Sequence, residues 1–448
     1  MSYHIICDPV HGIMEFDSDI KAIIKALIDD DCFQRLRHIK QLSFAEYAYP
    51  GAVHSRFNHC IGVAYLAQCV AQSLKNEINK DDRHAVTVAG LIHDIGHGPF
   101  SHAFEEIYGK NQKGKKLKVD HEKWNLKFID ALSDKHPTLK DILKRAKNII
   151  TGENNDILHQ IISSQLDVDR FDYLLRDSHF SGVSYGHFDV HWLISNMSIN
   201  ANKIVVTPKG VKSVEHYLMA RRLMNHNVYF HKKKCAAEYL LDVFFEMLSS
   251  NLDQLNLNSP FIEFIQLVNK YKDEDNFEGA VLENCFEKYK MLNEHHIWVL
   301  ISEISLLDDR SNQEIKDLIE IAQRFLKRDL PHVYHIKQGK EQYVSDMLNK
   351  IDQSQKTWRI ACRNPVISIY KSKTEEIFVL DKPNEGENGN SITPFSEVAN
   401  YSTILNAFSD KSENLMYIYF TEDKENGSTE PVKKLISTLT SNGAFLGL

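Results

Sequence analysis

Residues 84–95 constrain the fold most tightly. Val86, Val88, Ala89, Leu91, Ile92 and Ile95 leave little polar surface, so a helix here is apolar on most sides and must be central. Gly96, Gly98 and Pro99 stop it, and Ser101 stands where it would cap a following helix from His102. The last turn carries His93 and Asp94 toward the interior, where ionisable groups need partners or a cation.

Helical periodicity runs through most of the first 360 residues. Ile61, Ala64, Ala67, Val70 and Leu74 recur at three- and four-residue steps, which predicts a helix over 58–78. Residues 156–176 and 213–249 read as helical, with a strand and turn at 203–210 between them. Several further helices are expected over 263–355. Near the C-terminus the pattern changes: 366–370, 377–380 and 415–420 read as strands, 381–394 as an exposed loop, and 431–440 as a short helix with Pro431 in its first turn. The expected fold is mostly α with a small α+β C-terminal module.

Composition bears on chemistry mainly through histidine. The chain of 448 residues has 22 of them, roughly twice typical usage, and His is both the commonest metal ligand and the acid–base side chain of neutral pH. Lys and Arg total 53 against 61 Asp and Glu, a net charge of −8, which argues against a basic nucleic-acid coat. The basic stretch 109–118 lacks interleaved aromatics and reads as a solvated loop. Seven scattered cysteines with no CxxC pair suggest neither a zinc knuckle nor a disulfide framework. With no signal peptide and no apolar run of ~18 residues, a cytoplasmic protein without a membrane span is expected.

The histidines concentrate in three segments. These are His54-Ser55-Arg56-Phe57-Asn58-His59, then His93-Asp94-Ile95-Gly96-His97-Gly98-Pro99-Phe100-Ser101-His102, then Asp120-His121-Glu122. A fourth segment, 165–177, places Asp167, Asp169, Asp172 and Asp177 along one helical stretch. A lone His-Asp pair carries no weight, but His93 and Asp94 close a buried helix. Imidazole and carboxylate together suit Mn, Fe, Zn or Ni. His59 and Asp169 are the natural further ligands. The spacing alone leaves a second reading open, in which Asp167, Asp169 and Asp172 form a solvated face with Arg170 and Arg176.

The motifs resemble the HD-domain phosphohydrolases, specifically the deoxynucleoside triphosphate triphosphohydrolases. They run in order from Asp8-Pro9-Val10-His11-Gly12, through 33–42, Tyr49-Pro50-Gly51-Ala52, the three histidine segments and Asp167-Val168-Asp169-Arg170-Phe171-Asp172-Tyr173, to Tyr229-Phe230-His231-Lys232. The likeness covers roughly residues 5–235. It implies an HD-domain catalytic core over 1–240, followed by a helical extension over 241–360 and the α+β module over 361–448. It implies His59, His93, Asp94 and Asp169 as ligands of a divalent metal (Mn, Fe, Mg, Zn or Ni). His97, His102 and His121, with Glu105, would serve the α-phosphate. Arg56, Arg170, Tyr173, Arg221 and Lys232 would grip the triphosphate, and Tyr229 would also bind substrate. Gln41 and Asp177 would meet the sugar 3′-hydroxyl, and Leu42 and Tyr173 would crowd out a ribose 2′-hydroxyl.

The implied reaction is dNTP + H2O → deoxynucleoside + triphosphate. A triphosphate needs Arg forks, Lys and a cation even on an acidic protein. The alternatives are an HD phosphohydrolase for another nucleotide, or a non-enzymatic nucleotide- or nucleic-acid-binding HD protein. In the catalytic region the chain departs from the family pattern where Glu105 replaces an Asp and where Asn225 stands in place of an expected His. Asp29, Gln34 and Arg37 match the positions through which the family binds an activating GTP, dGTP or dNTP between subunits, which implies a homo-oligomer, a tetramer or dimer. The Lys used nearby falls at His4, and a purely structural role for Arg35 and Arg37 stays open.

Overall fold

The central segment is the helix Lys80–Ile92, and every residue from Ala85 to Ile92 is buried. In this computed structural model the described residues are 5–108, 115–153, 157–255, 257–308, 312–349, 358–370, 375–381, 391–398, 412–422 and 430–446. Two compact units emerge from the contacts. One comprises 1–229, 257–297 and 369–411; the other comprises 230–256, 298–368 and 412–448. Each unit draws on all three segments 1–240, 241–360 and 361–448.

In the first unit, Asn79 starts the central helix by accepting the Asp82 amide at 2.9 Å, and Asp81 and Asp82 favour its N-terminal dipole. The helix packs against Arg56–Ser73, which is buried along most of its length. Gly90 lets the two backbones close: a Cβ there would lie 3.1 Å from the Val63 carbonyl oxygen and 3.2 Å from Ala67 Cβ. A third helix, Val168–Ser181, also packs against Arg56–Ser73. Asp167 caps it by accepting the Arg170 amide at 2.8 Å, and Gly182 ends it at φ +74°. Each fully buried Leu, Ile, Val or Phe in this core contributes about 1.5–3 kcal/mol.

Several elements differ from the sequence reading. The 156–176 stretch is two helices, Ile157–Ile162 and Val168–Ser181, because Asp167 is extended as an N-cap. The 213–249 stretch divides into Val211–Met224, a π-helical turn Asn225–Tyr229, and Lys232–Asn251. Ser101 caps nothing. It lies with Phe100 at positive φ (54° and 58°), opening a short 3₁₀ turn Ser101–Glu106.

The C-terminal strands pair outward rather than with one another alone. Phe378–Leu380 lies parallel to Lys203–Val206, in a four-stranded sheet with Met197–Asn200 and Ile392–Pro394. Ile392–Pro394 falls in the stretch read as loop, of which 382–390 lies outside the described residues. An N-terminal hairpin pairs Ile5–Asp8 with Gly12–Glu15.

In the second unit, Lys232–Asn251 packs against Gln313–Lys327, and Arg359 and Arg324 both donate to Glu320. A three-stranded sheet orders His332–His335, Tyr417–Phe420 and Ile360–Arg363, all antiparallel. Its apolar face joins the helix Glu430–Ser441 through Ile336, Val344, Ile418, Leu439 and Ala444. His332–His335 sits in a stretch read as helical; four residues show no period, and Val333 and Tyr334 suit a strand. Among the described residues no helix is long and apolar enough to cross a membrane.

Candidate active site

Three side chains from three helices converge in the first unit. His59 comes from Arg56–Ser73, His93 from the end of Lys80–Ile92, and Asp169 from the first turn of Val168–Ser181. One donor atom of each lies within 4.8 Å of the others. Both imidazoles are held by Nδ1: that of His59 on an Asp172 carboxylate oxygen at 2.8 Å, that of His93 on the Gly90 carbonyl at 2.9 Å. Both Nε2 atoms therefore face the convergence point, buried and without a hydrogen-bond partner. His59 Nε2 stands 3.0 Å from Asp169 and His93 Nε2 3.5 Å, close pairs that lack hydrogen-bond geometry.

Asp94 approaches the same point, with oxygens 3.6 Å from His93 Nε2, 3.8 Å from His59 Nε2 and 3.4 Å from His97 Nε2. It also accepts a bond from Arg56, whose Nε donates to Ser101 Oγ at 2.9 Å. Ser101, no cap, is thus part of the wall.

The charges fit a cation. Burial opposes a charge on His59, yet the flanking Asp169 and Asp172 carboxylates raise its pKa to about 10. Burial also opposes charge on Asp94 and Asp169, but the imidazoles, with Arg56 for Asp94, hold both below the usual carboxylate range. This cluster binds a proton when nothing else is offered. Two aimed imidazole lone pairs and the Asp169 carboxylate make a donor set that fits a divalent metal, with Asp94, bonded to Arg56, beside it.

His97 and His121 stack at 3.9 Å between centroids, tilted by 13°. Burial and then the Arg56 guanidinium push His97 well below its ordinary value, so it is neutral. His121, at the start of His121–Lys135, has Nδ1 2.6 Å from Glu105 Oε1. The longer Glu therefore reaches its imidazole. His102 lies on the turn Ser101–Glu106, and its side chain falls outside the described residues.

The predicted substrate residues divide. Asp177 is held at both oxygens, by His54 Nε2 at 2.7 Å and the Tyr229 hydroxyl at 2.9 Å. Tyr173 and Tyr229 meet edge to face at 5.9 Å. Gln41 has a buried side-chain oxygen with no partner, and Leu42 beside it is buried. Arg221 donates to Gln165 Oε1 at 2.9 Å. Arg170 turns back onto Asp167 and the Ser164 carbonyl. Lys232 begins a helix of the second unit. Asp29 and Arg37 are exposed; Asp29 pairs with Lys25, and Arg37 lies 3.6 Å over the Phe57 ring and donates to Gln34.

Other contributors carried no site assignment in the sequence. The buried Arg35 guanidinium donates to the Ile95 and His97 carbonyls at 2.9 and 2.7 Å, fixing the His-Asp turn. Glu294 accepts the Lys40 and Phe100 amides at 2.9 and 3.4 Å, tying the Gln41 segment to that turn. Nothing in a single sequence marks an acid 194 positions from its partner Phe100. His54 was visible in its motif and carried no assignment.

Residues 56–177 match the family described as HD domain, and 188–257 the HD associated region. The chain is 32% identical over 355 residues to the uncharacterized protein MG461 of Mycoplasma genitalium, covering 74% of this chain and 82% of that one. It is 36% identical over 242 residues to the uncharacterized protein YwfO of Bacillus subtilis, 52% of this chain and 53% of that one. It is 30% identical over 267 residues to the human deoxynucleoside triphosphate triphosphohydrolase SAMHD1, 51% of this chain and 42% of that one. The match thus spans about half or less of YwfO and of SAMHD1. A phosphohydrolase structure from Bacteroides thetaiotaomicron superposes with a TM-score of 0.77 at 26% identity, over 93% of this chain and 99% of that one.

Proposed function

This chain belongs to the HD-domain phosphohydrolase family, and on that premise we propose that it cleaves deoxynucleoside triphosphates at the α-phosphorus, releasing deoxynucleoside and inorganic triphosphate. The observation that carries the reading is the pair of buried, unpartnered Nε2 atoms of His59 and His93 aimed at Asp169, beside Arg56 and the stacked His97–His121 pair. The similarity to SAMHD1 supports the choice of substrate.

His59, His93, Asp94 and Asp169 hold the metal. A divalent ion held by these residues would supply Lewis-acid activation of water and of the phosphoryl group. Arg56, Arg170 and Arg221 neutralise the triphosphate through forked hydrogen bonds. The Arg170 fork must leave Asp167 to do so. His121, held at Nδ1 by Glu105, carries the proton to the departing 5′-oxygen. Neutral His97 orients the α-phosphate, together with His102. Gln41 and Asp177 bind the 3′-hydroxyl, with Asp177 preset by His54 and Tyr229, while Leu42 and Tyr173 leave no room for a 2′-hydroxyl. Asp29, Gln34 and Arg37 take a guanine nucleotide or dNTP effector in a homo-oligomer.

Purified protein incubated with Mn²⁺ and each dNTP, with and without GTP, tests this. Inorganic triphosphate as the phosphorus product, increased by GTP, is the expected result. Diphosphate or monophosphate would end the triphosphohydrolase reading.

A further inference from the structure

The N-terminal hairpin reaches the candidate metal centre through a second layer of buried charge. Asp172 lies one turn beyond Asp169 on the same helix, and its side chain is fully buried. Its two oxygens meet four donor atoms: His59 Nδ1 at 2.8 Å, His11 Nε2 at 2.6 Å, and Arg176 Nε and Nη2 at 2.8 and 2.9 Å. Arg176 in turn spans to Asp8 at 2.8 and 3.2 Å.

The hairpin is shaped to deliver these groups. Asp8 accepts the Val10 and His11 amides at 2.9 and 3.0 Å, and Gly12 takes φ +70° to close the turn. His11 is thereby carried inward, its side chain 1% exposed. The opposite wall is relieved at Gly62, where a Cβ would fall 1.9 Å from Asp172 Oδ1 and 2.5 Å from Arg176 Nη2.

We propose that Asp172 is a positioning residue for the metal centre, and that His11 and Asp8 of the N-terminal hairpin hold it in place. An ionised carboxylate can only accept, so it fixes the proton of His59 on Nδ1 and leaves Nε2 to bind the metal. The remaining donors saturate its oxygens and prevent rotation away from His59. The inference rests on reading His59 as a ligand. It requires no particular substrate.

The test uses the full chain loaded with Zn²⁺. In protein labelled with ¹⁵N-histidine, the imidazole signals missing from the H59Q variant are assigned to His59; an Nδ1–H with a metal-bound Nε2 is expected, and an Nε2–H tautomer overturns the proposal. Chelator competition supplies the second readout. D172N should lose about 10–100-fold in Zn²⁺ affinity, and H11Q should shift in the same direction by less. Unchanged affinity in folded D172N overturns the proposal; if D172N does not fold, H11Q and the tautomer decide it. A wild-type chain that binds Zn²⁺ but cleaves no dNTP ends only the proposed function. One that binds neither Zn²⁺ nor Mn²⁺ ends both.

Discussion

At the scale of single residues, chemistry turns on which partner each ionisable group meets. Asp169 faces two imidazole nitrogens, so Asp169→Asn removes the charge that balances a cation. The variant is expected to fold and to carry no metal by elemental analysis; a full equivalent would refute the ligand assignment. Glu294 tells of the opposite environment. Burial pushes its carboxyl up to about 7, above the ordinary 4.5, so the folded chain holds the proton more tightly than the unfolded chain. Stability from this group is full below about pH 4.5 and is lost as the pH rises through about 7. Glu294→Gln imitates the protonated form. It should be more stable than wild type by about 1–3 kcal/mol at pH 8 and gain nothing at pH 4.5; parallel denaturation profiles across that range would contradict this. The convergence of His59, His93 and Asp169, with Asp94 beside them, was legible in the sequence because each closes or opens a helix in a dense motif. Glu294 and the turning of Arg170 onto Asp167 were not, since both depend on which chain segments meet in space.

At the scale of elements, ligand spacing is set by how closely two helices approach. Gly90 holds Lys80–Ile92 against Arg56–Ser73, and these helices carry His93 and His59. Gly90→Val should cost about 1–3 kcal/mol by overpacking. It should also weaken metal binding, because the two imidazoles move apart; urea melts with metal titration would show both, and unchanged values would contradict the account. The helices themselves were readable from apolar periodicity, to within a few residues at each end. Breaks inside long apolar runs were less so: Asp167 caps a helix with its own carboxylate, and the turn at Asn225–Tyr229 is π-helical, where periodicity alone continues the run. The strand Ile392–Pro394 was hidden in a polar stretch because its partner, Phe378–Leu380, supplies the pairing.

At the scale of the molecule, the ordered motifs announced an HD-domain chain, and the family match and helical architecture agree. Its organisation by contact was out of reach of the sequence. The C-terminal 80 residues contribute strands to sheets in both units, since strand pairing is decided by register and burial between distant segments. The hairpin at the other end illustrates the same point: Asp8 and His11 stand out as a motif, yet their link to His59 through Asp172 exists only once the fold is formed.

The proposed reaction has water attack the α-phosphorus of a dNTP at this site. Hydrolysis in ¹⁸O-water followed by mass spectrometry of both products follows the attacking oxygen. One ¹⁸O in inorganic triphosphate and none in the deoxynucleoside is the expected result. Label in the 5′-hydroxyl of the deoxynucleoside, or recovery of the phosphorus as diphosphate, would contradict it.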